Sequence, residues 1–437
     1  MLSSTLTIGR KLSSTLFPLM VFLLLQNVSV FFERLCLARH SLESLCGSMH
    51  AYAFLQFFQL FLVIFANTVN IFAGKTYATE IGNRIWQVIW ISFLSMLIVL
   101  PAGLIINSFF LEGTMQGNLA RNYFNISMSG TFLFPIGAIL ASFFRALDKK
   151  SVVILTLLTS VFVGTILNLT FIPIYGVAGA AYCGLITKFL FCAILLVIFL
   201  RQFNRKYYHT HHWRIDWPSI RQAVGAYNPR LVGVVLTTAS WITMTPCMAK
   251  KGDLYLTALS VGAMFTFFSL FFINSAVPFL TALFLNALKT KINIQIPFRY
   301  GFLGTCLFSS IFSLPLLFFP ELLLTLFSPS LSSELQVLLV KTLRWTWVWI
   351  SIGALNTTFL AFIFAAQKEA FCLKVKLFAY ALSLLQMYYF ICHLNWGPNT
   401  LWMILCTEYG IFLLACAIQT YILLRTRYVQ TASKISF

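Results

Sequence analysis

Three side chains stand where an ionisable group is expensive. In this 437-residue chain, Glu33, Lys188 and Glu408 each interrupt an apolar run long enough to cross a lipid bilayer. A charge in such a run costs at least about 2.5 kcal/mol on insertion scales, so each needs a partner or a task. A carboxylate there can take up and release a proton, or hold a cation. Glu33 carries the most information. It follows the uncharged "FPLMVFLLLQNV" and lies fifteen residues after Pro18, about 22 Å along a helix. Pro18 removes one backbone hydrogen bond and can bend that helix. Two placements follow: Glu33 faces a central cavity as a proton or cation site, or it sits at the outer interface beside Arg34. Residues at i and i+1 point about 100° apart on a helix, which makes Arg34 a poor partner.

Lys188 and Glu408 stand 220 positions apart. They either pair with each other or are satisfied separately, by snorkelling or by a local polar group. Asn27, on the Glu33 segment, and Asn168, in "GTILNLTF", complete the candidate cavity or conformational residues with Pro18, Lys188 and Glu408. A buried amide most often bonds a neighbouring helix. The sequons at Asn27, Asn125, Asn168 and Asn356 fall in or at apolar runs and have no meaning as glycosylation sites.

The elements that hold these groups follow from composition. The chain is 59% hydrophobic and 9% charged, with 46 phenylalanines and a mean hydropathy of +0.87. A soluble domain carries about a quarter charged residues to solvate its surface; this chain must take lipid as its solvent. A span needs about 20 apolar residues, and that ruler predicts twelve, at 14–38, 48–73, 86–111, 122–146, 151–173, 176–201, 228–249, 254–286, 298–327, 338–366, 371–393 and 398–424. The expected fold class is an all-α polytopic membrane protein with twelve transmembrane helices in two pseudo-symmetric six-helix lobes around a central cavity.

The net charge of +19 reads as a topology signal rather than a nucleic-acid surface. With both termini cytoplasmic, the inner loops and tails hold 22 of the 30 basic residues, the outer loops seven, and Lys188 lies within a span. That asymmetry follows the positive-inside rule and predicts a multi-pass protein of the inner cell membrane. Arg10 and Lys11 ahead of an apolar run resemble a signal peptide, but the run ends in Glu33-Arg34 without a small-residue cleavage site, so a retained helix is expected.

The main polar segment, Arg201 to Arg230, divides the chain near its middle. It predicts an N-terminal lobe over 1–201, a cytoplasmic connector over 202–227 and a C-terminal lobe over 228–437. Its His209, His211 and His212 have no acidic or cysteine partner nearby, so a basic strap on an anionic leaflet is favoured over a metal site. Weak internal likeness supports two matching halves: Pro18 is echoed by Pro229, "SFFRALDKKS" by "FIFAAQKEAF" and "AAYCGLITKFL" by "WMILCTEYGIF". Halves of shared topology place a cavity between them. The ten cysteines lie singly with no C-x-x-C, which indicates neither a zinc site nor a disulfide framework. No phosphate-cradling glycine loop occurs, so direct nucleotide drive is unsupported. His50 and His393 lack acidic partners, which leaves a membrane-embedded acyltransferase with little to work with.

On these residues the chain resembles the multidrug and toxic compound extrusion family, within a superfamily of flippases and exporters. In that family a helix-1 proline precedes an acid by about fifteen residues, and a G-R-x-G-x-x-A-L turn follows. Pro18, Glu33 and "ARHSLESL" (Ala38 to Leu45) fill those slots, with Glu for the usual Asp. "RALDKKS" from Arg145, "LNLTFIPIYGVAGAAYCGLITK" (Leu167 to Lys188) and "FPELLLTLFSPS" (Phe319 to Ser330) are similar to further family segments. The resemblance implies an antiporter that exports small amphipathic or cationic compounds by alternating access of two lobes, as a monomer and without cofactor. The family's helix-5 acid falls on Ile172 here, and its second-lobe acids fall near Thr237 and Gly353. That leaves Glu33 as the coupling residue. A single carboxylate with an amide is a poor cage for Na+, which favours H+. The alternative within the superfamily is a flippase for a lipid-linked saccharide, whose pyrophosphate would want arginines in the spans.

Overall fold

The structure, a computed structural model, describes residues 24–25, 27–73, 81–107, 115–147, 149–201, 213–218, 229–289, 294–328 and 331–433. No strand occurs among them. A helix over 27–40 (α1) is followed by α2 (Leu42–Ala73), α3 (Ile81–Asn107), α4 (Met115–Met128), α5 (Leu133–Ala146), α6 (Lys150–Arg201) and α7 (Pro229–Lys251). Then come α8 (Asp253–Lys289), α9 (Gln295–Phe318), α10 (Pro320–Phe327), α11 (Ser333–Ala365), α12 (Glu369–Gln386) and α13 (Thr400–Ser433). A π-helical stretch, Met387–His393, continues α12.

Over the described residues these elements coincide with the predicted spans, and the differences have local causes; 14–23 of the first span and 108–111 of the third lie outside the described residues. The span expected at 122–146 is two helices bent by 48° around Ser129 to Phe132. There Gly130 lets Leu185 approach so closely that a Cβ would sit 2.1 Å from its Cδ1. The span expected at 298–327 breaks at Phe319 into α9 and α10, with Pro320 opening the second helix. Among the described residues, five helices are long and apolar enough to cross a membrane, and six if the bent pair is one span.

Two compact units form, over Leu25–Lys250 and Lys251–Phe437. In the first, α2 packs on α4 and α5, and both of these pack on α6. Its core joins Leu37, Phe54, Leu55, Phe124, Ile172, Ala180 and Ala181. The 52 residues of α6 would be about 78 Å long if straight, but the run doubles back at Gly176 (φ 55°, ψ −126°). Gly164 then faces Thr187, and Gly179 lies against the Phe171 carbonyl. α6 is therefore the expected pair of spans, 151–173 and 176–201, joined as a hairpin.

A piece of the connector is docked on the same unit. Gln87 of α3, buried, donates to the Arg214 carbonyl at 2.7 Å and accepts from the Asp216 amide at 2.8 Å. Trp90 Nε1 donates to the Trp213 carbonyl at 2.6 Å. Gln87→Ala removes two hydrogen bonds of about 1 kcal/mol each. Trypsin is expected to cut the connector about tenfold faster in that variant; an unchanged cleavage rate would mean that the clamp contributes nothing.

In the second unit, α11 packs against α8, α9 and α13. Phe284, Phe298 and Phe362 interlock there, with Phe284 and Phe362 edge-to-face at 5.7 Å. Trp402 is fully buried and packs onto Gly262, where a Cβ would sit 2.2 Å from its ring. Lys251 Nζ donates to the Cys392 carbonyl at 3.2 Å and to Asn395 Oδ1 at 2.5 Å, pinning the turn after the π-helical stretch.

Candidate functional site

Glu33 sits on α1, 13% exposed, and looks into the first unit. Its Oε1 accepts a hydrogen bond from Tyr123 Oη of α4 at 2.9 Å. Its Oε2 lies 4.0 Å from where a Cβ would stand on Gly184 of α6. The carboxylate is thus held by one hydroxyl and faces open backbone.

Arg34 is what the sequence reading missed. It was read as a poor partner for Glu33, yet its side chain is 1% exposed and its Nη1 reaches within 3.8 Å of Glu33 Oε1. The argument from directions 100° apart failed because a long guanidinium stem bends back across that gap. Nη1 also donates to Ser48 Oγ of α2 at 2.7 Å, while Ser48 sends its own hydrogen to the Leu45 carbonyl at 2.8 Å. The guanidinium carbon lies 4.8 Å from the Tyr52 ring centroid and 5.5 Å from that of Tyr123. Nε and Nη2 are buried with no hydrogen-bond partner. A buried charge retained in this way leans on its carboxylate and on the aromatic faces.

Lys188 lies one helical turn beyond Gly184. It is within electrostatic range of both Glu33 and Arg34 without closing an ion pair. The hairpin contacts Gly164–Thr187 and Phe171–Gly179 place Asn168 about level with Cys183 on the second arm. Asn168 is buried, and its Oδ1 has no hydrogen-bond partner. Glu33, Tyr123, Arg34 and Lys188 therefore belong to one neighbourhood built by α1, α2, α4 and the second arm of α6. Asn27 stands on α1, partly exposed. Pro18 lies outside the described residues.

Glu408 belongs to the second unit and has a different neighbour. On α13, it is within electrostatic range of Lys376 on α12, whose ammonium lies 5.6 Å from the centroid of the Phe412 ring. Its Oε2 is buried without a hydrogen-bond partner. Lys376 lies within the predicted span 371–393 and is a second basic residue placed among the helices of its unit.

Ile172, where the resemblance would put an acid, is packed in the apolar core with Leu37 and Ala180. Gly353 is buried on α11. Thr237 lies on α7. His50 packs beside Phe54 at 6.0 Å, and His393 beside Tyr389 at 6.0 Å. No cluster of three metal-ligating side chains occurs among the described residues. His209, His211 and His212 lie outside them.

No protein-family model matches the chain, and no curated protein matches it. Solved structures do. An inward-facing multidrug resistance MATE family transporter of the MOP superfamily superposes with a TM-score of 0.78 at 13% identity, over 92% of this chain and 95% of that one. A MATE protein in its bent conformation gives 0.67 at 13% identity, over 96% of each chain. A MOP superfamily transporter from Pyrococcus furiosus gives 0.62 at 14% identity, over 94% and 95%. At such identities the likeness is one of fold. The helices around Glu33 and those of the second unit thus carry the MATE transporter fold, all-α, membrane-spanning, with twelve transmembrane helices in two lobes.

Proposed function

We propose that the protein is a secondary active transporter that exports small amphipathic compounds in exchange for protons, with Glu33 as the proton-carrying group. The observation that carries this reading is the Glu33 carboxylate itself, reached by one hydroxyl and one guanidinium in a chain with the MATE fold. Of the amphipathic or cationic class expected from sequence, the amphipathic half is kept. Arg34 and Lys188 set two positive charges against one carboxylate, which disfavours a cation there.

The cycle uses this chain's own groups. Opened outward, Glu33 takes a proton and no longer attracts Arg34, so α1 repacks against α2 and α4. Opened inward, Glu33 loses the proton and recovers both partners. The lobes that alternate are 1–201 and 228–437, joined by the connector at 202–227, with both termini cytoplasmic in an inner cell membrane and the chain acting as a monomer. Na+ is the less suited ion, since one carboxylate and one amide offer it too few oxygens. The test is purified protein in liposomes under an imposed pH gradient, reading movement of an amphipathic dye. Movement indifferent to the gradient would remove the exchange step.

One observation favours a second reading, a flippase for a lipid-linked saccharide. Arginines inside the spans are what a pyrophosphate needs, and Arg34 is buried with two unpaired donors. Failure to move any dye, together with rescue of a glycolipid-export defect in cells, would select the flippase.

A further inference from the structure

Around the Arg34 guanidinium stand two aromatic faces, Tyr52 at 4.8 Å and Tyr123 at 5.5 Å, and the Glu33 carboxylate at 3.8 Å. Aromatic rings beside a carboxylate are the composition of a cage for an organic cation, which the ring faces attract and the carboxylate neutralises. Here a side chain of the protein fills that cage. Arg34 is the next residue after Glu33 on α1, so it moves with the carboxylate and competes for it as an intramolecular ligand.

The hydrogen-bond pattern agrees with a resident ligand. Nη1 has its partner in Ser48, whereas Nε and Nη2 are buried without one. Beyond the Ser48 hydrogen bond, this guanidinium is held by the carboxylate and by the two tyrosines. Lys188 stands within range of both residues, so the resident cation that a free ion meets first at Glu33 is Arg34.

We infer that Arg34 is a tethered cation. It occupies the aromatic–carboxylate cage at Glu33, bars Na+ and organic cations from it, and reserves the carboxylate for the proton. The polar group of a substrate seated in this unit is accordingly uncharged or acidic. The inference goes beyond the exchange reading and does not need it, because it concerns what binds at Glu33.

The test uses the purified full-length protein in detergent at alkaline pH, with tetraethylammonium and Na+ as probes and binding read by titration calorimetry. Wild type is expected to show no saturable binding of either. Arg34→Ala is expected to bind tetraethylammonium saturably, at least about tenfold more tightly than the limit wild type sets, the scale of a desolvated cation–π contact. The gain should vanish in the Glu33→Gln/Arg34→Ala double variant. It should also be absent in Arg34→Lys, which restores the tethered charge. Ethylguanidinium, which replaces the missing group, should displace tetraethylammonium from Arg34→Ala. Equal binding by wild type and Arg34→Ala overturns the inference, as does a gain that survives Glu33→Gln. If Arg34→Ala does not fold, the wild-type arm decides. Saturable tetraethylammonium or Na+ binding that is lost in Glu33→Gln overturns the inference, and its absence from folded protein upholds it. No pH gradient enters these measurements, so loss of proton exchange and loss of cation exclusion are separate results.

Discussion

Glu33→Gln is expected to reduce gradient-driven dye movement in liposomes to the level of protein-free vesicles, while the protein still inserts and folds. Glutamine keeps the shape and can still accept from Tyr123, so the local packing survives. It cannot exchange a proton, and it offers Arg34 no charge. The cost to stability comes from that second loss: a buried guanidinium deprived of its carboxylate is an uncompensated charge, worth several kcal/mol in a well-closed site. The pair spans 3.8 Å and Glu33 is 13% exposed, which places the expected destabilisation lower, at about 1–2 kcal/mol. Transport and unfolding midpoint must therefore be measured on the same preparation. Gradient-driven movement that persists in Glu33→Gln would remove the residue from the coupling step, whatever the effect on stability.

The second large effect is on folding. Gly179→Ala is expected to cost about 1–3 kcal/mol, the range for forcing extra volume into a packed contact. A Cβ at this position would lie 2.4 Å from the Phe171 carbonyl oxygen and 2.8 Å from its carbon. Both are backbone atoms, so no side-chain rotation relieves the clash, and the hairpin of α6 must open. Gly176→Ala is expected to be comparable for another reason. Its φ of 55° and ψ of −126° fall where a side chain is rarely tolerated. Gly304→Ala and Gly410→Ala serve as controls. Neither position has a heavy atom within 4 Å of the added carbon, and alanine is the better helix former. Thermal unfolding in detergent, followed by survival of the monodisperse peak, separates the two pairs. If all four variants behave alike, the hairpin contact is not what holds the turn.

Much of this fold was legible because lipid imposes a simple rule: every span must be long, apolar and internally hydrogen-bonded. The predicted 254–286 and 338–366 overlie α8 and α11 within a few residues for that reason. The rule says nothing about breaks. The bend at Ser129 to Phe132 and the break at Phe319 are marked locally instead, by Ser129-Gly130-Thr131 and by Pro320-Glu321. Glu33, Lys188 and Glu408 were visible as charges in apolar runs, which is a one-dimensional signal. Their neighbours were not. Tyr123 is 90 residues from Glu33 in sequence, and nothing marks it out among 16 tyrosines. Arg34 was misplaced because a residue adjoining a presumed helix end looks the same in sequence whether it faces water or turns inward. The Gly-rich corner around Gly176 was recognised as a motif, but its role, holding Phe171 against Gly179, needed coordinates.

The burial of Arg34 has a consequence for how the chain is made. An arginine near the end of a newly synthesised helix is a poor candidate for entering lipid alone, at a penalty of about 2.5 kcal/mol or more. Its hydrogen-bond acceptor, Ser48, and one of its two ring partners, Tyr52, lie on the very next helix, while Tyr123 and the second arm of the α6 hairpin arrive much later. Helix α1 should therefore wait at the translocon for α2 and leave it as a pair, with the Glu33 neighbourhood half assembled and closed only when α4 and α6 follow. A ribosome stalled after the first helix alone would hold a segment that slips back or through, and one stalled after α2 would hold a segment that stays.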